Sequence, residues 1–512
     1  MINNTKKLLL INPWQTYRKD LESEYQSYLP YGLACIGSIG INKGFETKIV
    51  DCLEDDTRAE FDEFIRFGKT NDELYSLITD FAPNIVGISS TFSMFENDAT
   101  EIAKLVKSIN PKIIVILGGV TATIEEIYEP LLLNEHCYDI MCRGEGEKTF
   151  AELLENYNPS NGEIENLPEI KGISYTNNNM VFKNEDRPFI QDLDCLPFPA
   201  LHLLDLDKTF NNKYYSRWRN NPIGKRCVPI FTSRGCPYQC CFCSVHSQVG
   251  YSFRAYSIDY VISLMKRCIE KYNITHFHFE DDNLTFDICR AKSLFRQMAK
   301  LNITWDTPNG VRADKIDEEM IQLMINSGIT SISIAAESGN EEVRTKIIRK
   351  NLKTKNIIDT VRLCDKYDLP CIVFFVLGFP GETIKDIKET ISFSKNITMA
   401  YHTINMMYIA NPLPGTDLNK NSLDRGYIKK ALTNSDYFVA IRVNQASIIE
   451  TDEFNKKMIC DILQKEVDST VFSIHNSSLP MFWIDNPIAN SRAKCVFPKM
   501  SNRKVEWRWL GD

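Results

Sequence analysis

Residues 228–243 read VPIFTSRGCPYQCCFC: a short apolar run that breaks at Gly235 into a loop carrying thiols at Cys236, Cys240 and Cys243. The run is a buried-strand pattern, and the loop after it is where a parallel α/β sheet places its chemistry. Outward from it the rhythm repeats. Further strand patterns follow at HFHFE, TWDTPN, SISIAAES, CIVFFVLG and INMMYIAN, with amphipathic helical patterns at 258–271, 289–300, 318–325, 341–349, 357–367 and 384–394. Six βα-type units over 227–416 predict a partial (β/α)6 barrel of the TIM type, with its active face at the carboxyl ends of the strands.

A second series precedes it. LLLIN, TKIVD, NIVGISS, IIVILGG and DIMCRGE alternate with helical patterns at 31–43, 72–81, 95–109 and 124–133. This predicts a doubly wound, Rossmann-like α/β domain over 1–157, whose ligand lies beyond the carboxyl ends of the strands. Those ends are Asn12, Asp51, Ser89-Ser90-Thr91, Gly118-Gly119 and Gly144-Glu145-Gly146, small or polar residues that let a ligand approach the backbone. The Asn- and Pro-rich stretch 158–226 reads as a linker. Residues 417–512 read as a small, mostly helical domain on the substrate side, with Tyr437, Phe438, Phe482, Trp483, Trp507 and Trp509 as candidate apolar walls.

Composition narrows the class. A formal charge of -8 over 512 residues leaves no basic footprint for nucleic acid. No apolar stretch reaches the ~18 residues of a membrane span, and the run after Lys7 is short for a secretion signal, so a cytoplasmic protein is expected. The 16 cysteines are scattered, which favours reduced thiols and metal ligation over disulfides.

Three thiolates at CxxxCxxC fit an iron–sulfur cubane that keeps one iron free of protein ligands. A structural zinc site wants four ligands, and Cys241, adjacent to Cys240, would point away from a metal held by its neighbours. A buried set of inert thiols is the other reading.

The loop resembles that of the radical S-adenosylmethionine superfamily, whose hallmark is CxxxCxΦC, with Phe242 as the aromatic residue. The resemblance implies a [4Fe–4S] cluster on Cys236, Cys240 and Cys243, S-adenosylmethionine chelated at the open iron, and a 5′-deoxyadenosyl radical able to attack an unactivated carbon. It assigns cofactor contacts to Asp281 and Asp282 after the second strand, Glu337 and Ser338 after the fourth, and Gly378 and Pro380 after the fifth. Arg312, after the third strand, becomes a partner for a carboxylate. Helix capping, turn formation and a surface ion pair are the plain alternatives.

The preceding Rossmann-like domain makes the chain resemble the cobalamin-binding branch, through segments 30–33, 86–90, 118–119, 143–147 and 196–200. That implies a corrin held by Asn12, Ser89, Ser90, Thr91, Gly118, Gly119, Gly144, Glu145 and Gly146. Residues 1–135 contain no histidine, so the Asp-x-His-x-x-Gly mode of axial ligation is absent. The expected activity is cobalamin-dependent methylation of an unactivated carbon, or a phosphinate phosphorus, of a small molecule or peptide, fed by an electron donor such as flavodoxin or ferredoxin. Cyclisation, ring contraction or rearrangement, and a non-catalytic corrinoid sensor, are the alternatives.

Overall fold

A computed structural model describes residues 6–215, 226–428 and 448–465, apart from 20, 21, 23, 24, 402, 460 and 464, together with the backbone of two strands within 496–509. The chain divides into two compact units, Met1–Trp218 with Val245–Tyr256, and Arg219–Ser244 with Ser257–Asp512.

In the first unit β1 (Lys7–Asn12), β2 (Glu46–Asp51), β3 (Ile85–Ser89), β4 (Ile114–Gly118) and β5 (Ile140–Cys142) run parallel in the order β2-β1-β3-β4-β5. Leu8, Leu9, Leu10 and Ile11 are all fully buried, because helices cover both faces. Leu9 and Ile11 face a core with Leu74, Ile78, Ala99, Ile102, Val106 and Tyr128. Leu8 and Leu10 face the helix Tyr31–Asn42, whose Gly40 comes so close that an added Cβ would sit 2.6 Å from Leu8. The order reverses between β1 and β3, which puts the ligand crevice of such a sheet at Asn12 and Ser89.

The expected linker is largely built into this unit. β6 (Ile173–Asn177) pairs antiparallel with β5, and β7 (Met180–Lys183) with β6, making a seven-stranded sheet. Further on, Ala200 N donates to Ala34 O, and Asn212 Nδ2 donates to the carbonyls of Leu53 and Asp55. Asn-rich turns read as loop, but Ile173 and Tyr175 between them are buried strand residues.

In the second unit β8 (Cys227–Ile230), β9 (His276–Phe279), β10 (Thr304–Asp306), β11 (Ile329–Glu337), β12 (Cys371–Leu377) and β13 (Ile404–Ile409) form one parallel sheet in sequential order. Helices Ile258–Tyr272, Ile288–Met298, Glu318–Asn326, Thr354–Lys366 and Ile384–Tyr401 cover one face. Phe279 and Trp305 point that way, Trp305 stacking on Phe295 at 4.8 Å. By alternation, His276, His278 and Asp306 point into the barrel. The helix expected at 341–349 is one π-turn, Val343–Ile347. There Arg344 is fully buried, donating to the carbonyls of Ser338 and Leu352 and to Thr354 Oγ1.

A separate carboxyl-terminal domain is not seen among the described residues. Leu418, Ile449, Phe454 and Ile459 share one core with Leu377, Phe379 and Ile387 of the barrel. Val496–Ser501 and Lys504–Trp509 pair as antiparallel strands, in the irregular, aromatic end of the stretch 417–512. Residues 437, 438, 482 and 483 lie outside the described residues. No helix among the described residues is long and apolar enough to cross a membrane.

Candidate active site

The cysteine loop is anchored at its base by a buried carboxylate. Asp281 accepts from Thr232 N at 3.1 Å, Thr232 Oγ1 at 2.7 Å and Ser233 Oγ at 2.5 Å, and Arg290 donates to the Thr232 carbonyl at 2.8 Å. Burial pushes the Asp281 carboxyl above its usual range, against these bonds. Next, Gly235 adopts φ +82°, open to glycine, and its N–H donates to Asp282 Oδ2 at 2.9 Å. Asn283 Nδ2 lies 3.5 Å from Cys236 Sγ. Both aspartates expected to touch the cofactor thus spend carboxylate oxygens on the loop's own backbone and hydroxyls.

The far side of the loop is pinned through Cys241. Its N–H donates to Ile348 O, its carbonyl accepts from Leu418 N at 2.8 Å, and its side chain lies in the Phe379–Ile387 core. Burial pushes that thiol up to about 12, an inert group. Cys236, Cys240 and Cys243, which flank it, are half-buried. Phe242 packs on Phe379, centroids 5.8 Å apart.

Around Cys240, burial raises the thiol, while Lys350 and Arg312 lower it and Glu337 and Cys236 raise it. These residues therefore converge on the loop. Glu337 sits at φ +64°, beside a register shift in β11, and accepts from Lys350 Nζ at 2.6 Å, both side chains buried. Strained backbone of this kind gathers at functional sites. Arg312 stacks on Tyr238 of the loop at 3.6 Å and donates to Asp314 and the Lys350 carbonyl, so it braces the loop from within the protein. Ser338 is likewise committed, its hydroxyl 2.9 Å from Thr390 Oγ1 and fully buried. No motif in the sequence marks Lys350, Arg290 or Arg344: Arg290 is 58 residues from Thr232, while Lys350 and Arg344 meet nearby partners only because the chain folds back around the Val343–Ile347 turn.

At the ends of β12 and β13 polar atoms are left over. Glu382 Oε2 accepts from Gly378 N and Phe379 N at 2.8 and 2.9 Å, holding Gly378 at φ +87°, and burial raises its carboxyl to about 7. Its Oε1, both side-chain polar atoms of Asn411, and Asn283 Oδ1 are buried without a hydrogen-bond partner among the described residues. Buried polar atoms without partners are rare, and four at strand ends around a thiol loop fit a polar ligand with donors and acceptors of its own. Pro380 belongs to this turn but contributes no N–H.

The first unit presents a smoother surface. Gly118 has no atom within 4 Å of where a Cβ would lie, whereas at Gly119, φ +96°, one would sit 2.6 Å from the Ser90 carbonyl oxygen. Thr91 is exposed, Ser89 half-buried, and Ser89 Oγ lies 3.5 Å from Thr91 Oγ1. Gly144, φ +68°, donates its N–H to Thr123 Oγ1. This bare backbone cradle fits a flat, bulky group such as a corrin. Four expected contacts turn inward instead. Ser90 bonds Thr121 at 2.7 Å; Asn12 donates to Asp51, whose buried carboxyl is raised to about 7; Gly146 opens the helix Gly146–Glu155, against Ile36; and Glu145 accepts from Arg254 at 2.8 and 2.9 Å and from Ile190 N. Arg254 arrives with Val245–Tyr256, which also brings His246, stacked on Tyr251, to a unit whose continuous stretch reads as histidine-poor.

Comparison with known proteins agrees with both halves. The radical SAM superfamily matches residues 230–394, and the B12 binding domain matches residues 21–154. The chain is 32% identical over 393 residues to an uncharacterized methyltransferase of Pyrococcus horikoshii, covering 76% of this chain and 77% of that protein. It is 28% identical over 452 residues to the cytidylyl-2-hydroxyethylphosphonate methyltransferase of Streptomyces wedmorensis, 83% of each. In fold it is similar to the radical S-adenosylmethionine methyltransferase TsrM of Kitasatospora setae, solved with cobalamin and a [4Fe–4S] cluster, with TM-score 0.62, 17% identity, and 85% of this chain and 81% of that one covered. The chain belongs to the cobalamin-binding radical S-adenosylmethionine enzymes, the family whose cofactors are a [4Fe–4S] cluster, S-adenosylmethionine and cobalamin.

Proposed function

We propose that this enzyme is a methyltransferase, moving a methyl group from S-adenosylmethionine to an unactivated carbon, or a phosphinate phosphorus, of a small molecule or peptide. One observation carries the reading: two relatives that align along more than three-quarters of their own length are both methyltransferases by name. When bound, the cluster and S-adenosylmethionine supply radical chemistry, and cobalamin supplies a methyl carrier.

The chain's own residues have separable tasks in this reading. Cys236, Cys240 and Cys243 hold the cluster, on a loop positioned by Asp281, Asp282, Cys241 and Arg312. Asn283, Glu382 and Asn411 offer their leftover polar atoms to S-adenosylmethionine, with Gly378 and Pro380 shaping the turn. Glu337 and Lys350 set the charge beside Cys240. Ser89, Thr91, Gly118, Gly119 and Gly144 carry the corrin. A cytoplasmic setting with a flavodoxin or ferredoxin as donor completes the proposal; the net charge of -8 speaks against a nucleic-acid substrate.

The test uses the full chain reconstituted with iron, sulfide and hydroxocobalamin, given reductant and S-adenosylmethionine with a deuterated methyl group. Cytidylyl-2-hydroxyethylphosphonate is the first candidate substrate, followed by small-molecule and peptide panels. Methyl transfer releases S-adenosylhomocysteine and 5′-deoxyadenosine together and puts deuterium in the product. Rearrangement releases 5′-deoxyadenosine with an unlabelled product, and that outcome would replace the proposal.

A further inference from the structure

The strand read as HFHFE carries more than the barrel needs. His276 and His278 alternate with Phe277 and Phe279, and their imidazoles turn into the barrel, 0% and 1% exposed. A barrel interior is ordinarily filled by branched apolar side chains. Here Asp306 joins them from β10, 3% exposed, with His278 Nδ1 2.8 Å from Asp306 Oδ1 and His276 Nε2 3.5 Å from Asp306 Oδ2. His276 Nδ1 lies 2.8 Å from Thr304 Oγ1, which orients the ring so that Nε2 faces the carboxylate. The donor atoms of the three residues all lie within 4.8 Å of one another.

A fourth donor stands beside them. Cys227 is in register with His276 across β8 and β9, so its side chain leaves the sheet on the same face, and its thiol interacts with the His278 side chain. It is fully buried.

The distances suit a bound metal ion as well as a hydrogen-bonded ion pair, 2.8 Å being an ordinary hydrogen-bond length. A zinc ion with ligands at 2.0–2.2 Å separates tetrahedral donors by about 3.4 Å. The two histidine–carboxylate separations, 2.8 and 3.5 Å, bracket that edge, and the longer is poor for a hydrogen bond. Two imidazoles, a carboxylate and a thiol are zinc's usual donors, and a second hydrogen bond to one imidazole, as Thr304 supplies, is what fixes such a ligand.

We propose that the barrel interior holds a second metal site, distinct from the cysteine loop: one divalent ion of the zinc class bound by His276, His278 and Asp306, with Cys227 as fourth donor. The ion ties β8, β9 and β10 together below Thr232 and Glu280, the strand ends that carry the cysteine loop and its anchoring carboxylates. Being enclosed, it enters as the barrel forms. The proposal is independent of the methyltransfer reading.

The full chain is produced in medium supplemented with zinc, and zinc per chain is measured by mass spectrometry of the elements. Three forms are compared: the cluster-loaded wild type, Cys236→Ala/Cys240→Ala/Cys243→Ala, and His276→Gln/Asp306→Asn. Expected are about one zinc in the first two and a tenfold drop in the third. X-ray absorption at the zinc edge of the cysteine-free form supplies a readout that does not depend on the third variant folding; nitrogen and oxygen donors near 2.0 Å with at most one sulfur are expected. Less than about a tenth of an ion in the cysteine-free form overturns the proposal in favour of a metal-free ion pair. So does a shell of several sulfurs, or zinc retained when His276 and Asp306 are replaced.

Discussion

Replacing Asp281 by alanine separates two roles that the same carboxylate could have. In the structure it accepts from Thr232 N, Thr232 Oγ1 and Ser233 Oγ. A hydrogen bond to a charged group contributes about 1.5–3 kcal/mol, and the two hydroxyls can find other partners while the Thr232 N–H cannot. Emptying the site also removes a buried carboxylate that interacts electrostatically with Arg290. Together these place the cost of Asp281→Ala near 3–5 kcal/mol, at the point where the cysteine loop leaves β8. Even 3 kcal/mol shifts the ordered-to-disordered ratio of the loop about 150-fold. Iron per chain after reconstitution should fall from about four to below one, with loss of the charge-transfer absorbance. Asp281→Asn, which keeps one acceptor oxygen, should fall in between. S-adenosylmethionine affinity of whatever fraction retains its cluster should stay within about threefold. Normal iron content with S-adenosylmethionine binding weakened tenfold or more would refute the reasoning, because Asp281 would then be a ligand contact and not a loop anchor.

Three further outcomes follow from neighbouring geometry. Cys241→Ala should leave iron content unchanged at a cost of about 1–2 kcal/mol in stability, whereas Cys240→Ala should abolish the cluster absorbance. Gly118→Val should fold, since nothing lies within 4 Å of its Cβ position, yet take up hydroxocobalamin at least tenfold less; Gly119→Ala, driven against the Ser90 carbonyl at positive φ, should lower the melting temperature of the first unit itself. Glu382, raised to about 7 by burial, favours the folded turn below its unfolded value and loses that contribution as pH climbs through 7, roughly 3 kcal/mol in all. Amide exchange at Gly378 and Phe379, corrected for intrinsic rates, should therefore speed up between pH 5 and 8, and Glu382→Gln should flatten the trend.

Much of the architecture was legible in the linear sequence because its signals are local. Alternation and apolar runs mark each parallel strand of both sheets, and CxxxCxxC needs only eight residues to announce its chemistry. The sheet-extending hairpin at 173–183 was missed for a physical reason: turn-rich composition describes a segment by itself, while Ile173 and Tyr175 become strand only by pairing with β5. The π-turn at 343–347 was missed likewise, since Arg344 looks like a helix surface residue until three partners surround it.

Polar residues at strand ends show the limit most clearly. Residue type and position marked Asp281, Ser338, Glu145 and Arg312 as candidates, and could do no more, because a carboxylate or guanidinium serves a ligand or a neighbouring backbone equally well. Which it serves depends on what lies within 3 Å, and that is set by chain segments 40 to more than 100 residues away: Thr232 for Asp281, Thr390 for Ser338, Arg254 for Glu145. The linear sequence by itself determined the order of the two domains and the three thiols. Only the tertiary structure decided which polar atoms are already satisfied and which, as at Asn283, Glu382 and Asn411, stay buried with no hydrogen-bond partner among the described residues.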